Sequence, residues 1–105
     1  MKQPRSKYGN KRTEVDGITF DSKHEAQVWR ALKMELQAGA YNGVARQVSF
    51  GLPGGVTHVA DFVTLNKDGT YTVIDAKSSA TRNNAVYKLK KKQMQNCLGI
   101  QIKEV

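Results

Sequence analysis

Three residues of this sequence combine types and spacing suited to phosphate chemistry: Asp61 within Val59-Ala60-Asp61-Phe62-Val63, and Asp75 and Lys77 within Val73-Ile74-Asp75-Ala76-Lys77. Both acids stand where the surrounding pattern is apolar, and an unpaired carboxylate is costly to bury. Residues 56–65 and 70–77 are rich in Val, Thr, Ile and aromatics and read as strands. With a period of two, Val59, Asp61, Val63 and Leu65 share one face, as do Tyr71, Val73, Asp75 and Lys77. A three-residue loop of Lys67, Asp68 and Gly69, with Gly69 left-handed, pairs Asn66 with Thr70 and sets Asp61 opposite Asp75. Other loop types shift that register by one. Opposed residues have β-carbons about 5 Å apart, so two carboxylates repel unless a cation lies between them. Mg²⁺, with Mn²⁺ as its substitute, suits the pair, because it takes one or two protein carboxylates and completes its octahedron with water and phosphate oxygens. Lys77 then stands beside the ion.

The elements that must carry these residues are legible around them. Asp16-Gly17 between two alternating segments, 13–15 and 18–20, signals a tight hairpin. Ala26, Val28, Trp29, Leu32 and Leu36 recur at helical spacing over 22–38, with Asp21 or Ser22 as N-cap and Gly39 as the stop. Glu25 continues the inward stripe of that helix, yet Ser22-Lys23-His24-Glu25 also matches a capping box, which leaves capping and chemistry equally open for this carboxylate. Residues 44–50 alternate as a half-buried strand and end at Gly51-Leu52-Pro53-Gly54-Gly55. After a loop over 78–84, helical spacing through Val86, Leu89 and Cys97 predicts a helix over 85–98 that stops at Gly99, followed by a strand over 100–105. Helix, three strands, helix and strand make an α/β arrangement with a mixed sheet. His58 falls on the other strand face from Asp61 and reads as packing; Gln93 lies one turn beyond Leu89, within reach of the site but assigned no role.

Glu25 on the first helix, Asp61 on one strand and Asp75-Ala76-Lys77 on its partner resemble the PD-(D/E)XK nuclease superfamily. More narrowly, KYGNKRTEVDGITFDSKHEA, VADFV and GIQIKEV are similar to a family of small phage-encoded proteins within it, likened to Holliday-junction resolvases. The resemblance spans 13–105. It departs from the usual pattern in having Ala60 in place of proline before the first acid, and Asp75 in place of the commoner Glu. It implies a restriction-endonuclease-like αβββαβ core with a mixed β-sheet flanked by helices. It also implies Mg²⁺ ligation by Asp61 and Asp75, with the Ala76 carbonyl and Glu25 assisting directly or through water, and a Lys77 that orients or deprotonates the attacking water. The expected catalytic set is therefore Glu25, Asp61, Asp75 and Lys77. The activity implied is metal-dependent endonucleolytic cleavage of DNA, selective for branched structures. A non-catalytic DNA-binding module and a restriction-type or recombination-accessory endonuclease are the alternatives.

The chain has 105 residues and a net charge of +8, which suits one domain, 13–105, behind a loose basic arm, 1–12. The arm carries five basic residues and no acid, 13–75 nets −3, and 76–103 carries seven basic residues and no acid. Cationic flanks around an acidic middle point to a polyanion. Lys7, Lys11, Arg12, Arg82, Lys88, Lys90, Lys91 and Lys92 are the expected DNA contacts. A single Cys97 excludes an internal disulfide. No apolar run approaches a membrane span or a signal peptide, so the expectation is a cytoplasmic protein without a membrane partner, and the resemblance implies that the cytoplasm is that of a phage's host cell. Symmetric cutting of two strands implies a homodimer.

Overall fold

The computed structural model describes residues 12–105, and Lys7 and Lys11 lie outside them. A hairpin of β1 (Thr13–Val15) and β2 (Ile18–Phe20) turns at Asp16 and Gly17, whose φ values of 55° and 74° are the left-handed pair that an Asp-Gly turn supplies. Helix α1 (Lys23–Gln37) follows, with the Ser22 hydroxyl accepting from the Glu25 amide at 3.0 Å. Strands β3 (Tyr41–Leu52), β4 (Val56–Asn66) and β5 (Tyr71–Asp75) form an antiparallel meander. A short α2 (Ser79–Arg82) occupies what the sequence suggests is loop, then α3 (Ala85–Leu98) leads to β6 (Lys103–Glu104). β6 pairs parallel with β5, giving a four-stranded mixed sheet in the order β3-β4-β5-β6.

The chain is a single α/β domain with apolar clusters on both faces of the sheet. On one, Phe62 and Ile74 meet Phe20, Ala26, Trp29 and Leu32 of β2 and α1. On the other, Ala60, Val63 and Val73 meet Met94 of α3 and Ile102. Helix α3 does not bury the face its apolar spacing suggests. Tyr87 and Met94 are its buried residues, whereas Val86 and Leu89 are 62% and 59% exposed and Cys97 is exposed. The pattern misleads because Tyr87 and Met94 are seven apart, two full turns, and only one of them is aliphatic.

Two irregularities mark β3. Its pairing with β4 shifts register between Tyr41 and Gly43. Further on, the ladder runs from Arg46↔Phe62 to Val48↔Ala60 and skips Gln47, which takes φ 51°. Opposite that kink β4 loses its alternation: Ala60 and Val63, an odd number apart, join the same apolar cluster. Asp61 lies at the break.

Candidate active site

The hairpin between β4 and β5 has the register its loop chemistry dictates. The Asn66 amide donates to the Thr70 carbonyl at 2.9 Å, Gly69 takes φ 86°, and Phe62 pairs with Ile74. One step beyond that last ladder pair lie Asp61 and Asp75. Here side chains take over from the backbone: the Asp61 amide donates to Asp75 Oδ1 at 3.1 Å, and the Ala76 amide donates to Asp61 Oδ2 at 2.9 Å. The two acids stand opposite each other, as the three-residue loop requires, and are cross-locked, Asp75 receiving a main-chain N–H from β4 and Asp61 one from the residue that follows β5.

Each acid has its own surroundings. Asp75 is fully buried, and its Oδ2 accepts from His58 Nε2 at 2.9 Å. Burial alone would raise the Asp75 pKa, but the His58 and Asp61 donors, with Lys77 nearby, hold it below the usual carboxylate range. Asp61 is pushed up, chiefly by burial, despite Lys77 Nζ at 3.3 Å from Oδ2 and the Ala76 amide. Glu25 is pushed up to about 7 by burial, then by Asp61 and Asp21. Its Oε1 accepts from the Gln47 side-chain amide at 3.3 Å. The Ser22 half of the capping box forms through the Glu25 backbone, while the Glu25 carboxylate is engaged by β3.

His58, set aside on strand alternation, thus belongs to the site. The break in β4 puts it on the same side as Asp75 and α3, with its ring 6.1 Å from that of Tyr87. Tyr87 also lies under Lys77, whose Nζ is 5.9 Å from the ring centroid. The Tyr87 hydroxyl is buried beside Asp75 and Glu104, and burial, followed by the fields of those two acids, raises its pKa. Gln93 Oε1 is buried and unpartnered.

Among the described residues, no three His, Cys, Asp or Glu side chains are grouped to hold a metal ion. An ion here would therefore take two carboxylates at most, which is ordinary for Mg²⁺ and not for a closed protein cage. The donor chemistry fits. Asp61 and Glu25 are two buried carboxylates with raised pKa, Glu25 partly through the field of Asp61, and a cation relieves that arrangement.

The family described as "Protein of unknown function (DUF1064)" matches residues 5–102. The chain belongs to the DUF1064 family. No curated protein and no solved structure matches it. The match takes in every residue of the site and all of α1 to α3.

The basic residues expected to contact DNA separate into kinds in this DUF1064 chain. Arg12, Lys88 and Lys92 are exposed, and Lys90 is half-buried. Arg82 is exposed and its Nε donates to the Lys77 carbonyl at 3.1 Å, tying α2 to the end of the site. Lys91 Nζ is 2.6 Å from Glu104 Oε1, so its charge is spent within the protein. Among the described residues no helix is long and apolar enough to cross a membrane.

Proposed function

We propose that this chain is a Mg²⁺-dependent endonuclease with a restriction-endonuclease-like PD-(D/E)XK core, acting on the phosphodiesters of branched DNA. The observation that supports it is the cross-locked pair Asp61 and Asp75 with the Lys77 ammonium 3.3 Å from Asp61. Behind the β1–β2 hairpin the order is α1, β3, β4, β5, α2, α3 and β6, which is αβββαβ with one short extra helix, and the last strand is parallel to β5; this supports that core.

Asp61 is the central ligand in this reading, and Asp75 or Glu25 supplies the second carboxylate, with the Ala76 carbonyl beside them. When bound, Mg²⁺ supplies Lewis-acid polarisation of the phosphate oxygens. Lys77 orients the attacking water and offsets negative charge developing on the phosphorus oxygens. Asp75 keeps its geometry because His58 and the Asp61 amide fix both of its oxygens. Glu25, with a pKa of about 7 in the metal-free chain, would give up its proton on meeting the ion. Symmetric incision of a junction calls for two such sites in a two-fold dimer.

The test is cleavage of four-way-junction and duplex DNA with Mg²⁺ or Mn²⁺ by Asp61→Asn, Asp75→Asn and Lys77→Ala proteins whose folding is verified by circular dichroism. Each should lose at least about a hundredfold in rate. Undiminished cleavage by all three overturns the reading. The Lys77–Asp61 contact also suits a non-catalytic DNA-binding module, where it is a plain ion pair; that alternative expects wild-type binding in EDTA and no cutting of any DNA form.

A further inference from the structure

We propose that Arg46 is a phosphate-binding residue, holding a backbone phosphate of the nucleic acid beside Glu25 and Asp61; the inference rests on the nuclease reading and adds a contact to it. Arg46 is on β3, directly before the kinked Gln47 and opposite Phe62. Its guanidinium carbon lies 4.7 Å from the Phe20 ring centroid and 5.7 Å from that of Trp29. Its Nε is buried and has no hydrogen-bond partner. The ion pairs among the described residues are His58–Asp75, Lys77–Asp61 and Lys91–Glu104, and none uses Arg46.

A guanidinium drawn partly out of water normally takes a carboxylate. This one rests on two aromatic faces, an attraction that orients the cation and leaves its planar edge of donors uncommitted. Such an edge matches the paired oxygens of a phosphate. Its position suits that use. Gln47, the next residue, donates to Glu25, so the kink in β3 brings Arg46 and the acidic centre together. Arg46 also opposes the rise in the Glu25 pKa, which places it within electrostatic reach of that carboxylate. Lys77 contacts Asp61 and the α3 side through Tyr87, whereas Arg46 packs on the α1 side, so the two cations reach the acids from different faces of the sheet. A phosphate backbone crossing β3 and β4 where β5 ends would meet both.

Binding of duplex and four-way-junction oligonucleotides in EDTA, followed across a salt series, tests this without any cleavage. Arg46→Gln should lower the slope of log K against log salt by about one. Arg46→Lys should keep the slope and bind several-fold more weakly, because a point charge replaces a fork. Lys33, whose ammonium lies 5.4 Å from the Trp29 centroid, provides a control for loss of one positive charge from the same ring; Lys33→Gln should shift the slope less. A wild-type slope and affinity for Arg46→Gln overturn the proposal, and if that variant does not fold, wild-type affinity for Arg46→Lys does so. Because the assay holds no metal, its outcome is independent of cleavage: a wild-type protein that still cuts no DNA form once Mg²⁺ or Mn²⁺ is added defeats the nuclease reading and leaves the Arg46 result standing.

Discussion

Glu25 shows how a single carboxyl group can report on its surroundings. Its pKa of about 7 in the folded chain exceeds its ordinary value of 4.5, so between those values the folded state keeps a proton that the unfolded chain has released. Stability must then fall as pH rises through that interval and level off above it. Glu25→Gln removes the slope, and urea unfolding should show the variant gaining roughly 1–2 kcal/mol on wild type between pH 5 and pH 8, the full linkage value being reduced by water at the mouth of the site. Parallel pH profiles would refute the shift. His58 has the opposite character. It braces a fully buried Asp75, so His58→Ala should cost about 1–3 kcal/mol in the same measurement, and His58→Asn, which keeps a donor, should recover part of it. Asp61, Asp75 and Lys77 were legible because acids interrupt apolar alternation and a hairpin loop sets their register. His58 was not legible by the same rule, because the rule assumes an unbroken strand, and β4 breaks its alternation between Ala60 and Val63.

Among the elements, α3 separates a pattern in sequence from a face in space. Val86 and Leu89 are spaced like core residues but stand in solvent, while Tyr87 and Met94 are buried. Met94→Ala should therefore destabilise by about 2–5 kcal/mol. Val86→Ser and Leu89→Ser should each stay within about 0.5 kcal/mol of wild type by thermal or urea unfolding. Equal losses at all three positions would mean that α3 packs in the other rotation. The end points of α1 and α3 were readable from Ser22, Gly39 and Gly99, because capping is local chemistry. Which side of α3 turns inward depends on His58 against Tyr87 and on Ala60, Val63 and Val73 in the cluster with Met94, residues of β4 and β5 distant in the chain, and no local spacing encodes that.

At the scale of the molecule, the charge pattern takes a definite shape. Three acids of the middle section, Glu25, Asp61 and Asp75, meet where β5 ends beside the middle of β4, between an apolar layer containing α1 and another containing α3. The seven basic residues of 76–103 follow directly after them in the chain. One of these, Lys91, is used to hold β6 through Glu104, so the net cationic character of α3 is smaller than its sequence suggests. Net charge was readable from composition alone; its partition between binding surface and internal pairing needed the fold.

The kink at Gln47 has a consequence beyond the site. β3 is a twelve-residue strand at the border of the sheet, and a long regular border of unpaired amides and carbonyls invites strands of other copies to add without end. The register shift near Tyr41 and the left-handed Gln47 interrupt that border twice, and at the opposite border β6 has only two residues. The backbone distortion that carries Gln47 to Glu25 thus also interrupts the free edge of β3, so how well that edge can template another strand and the shape of the acidic centre depend on the same bend.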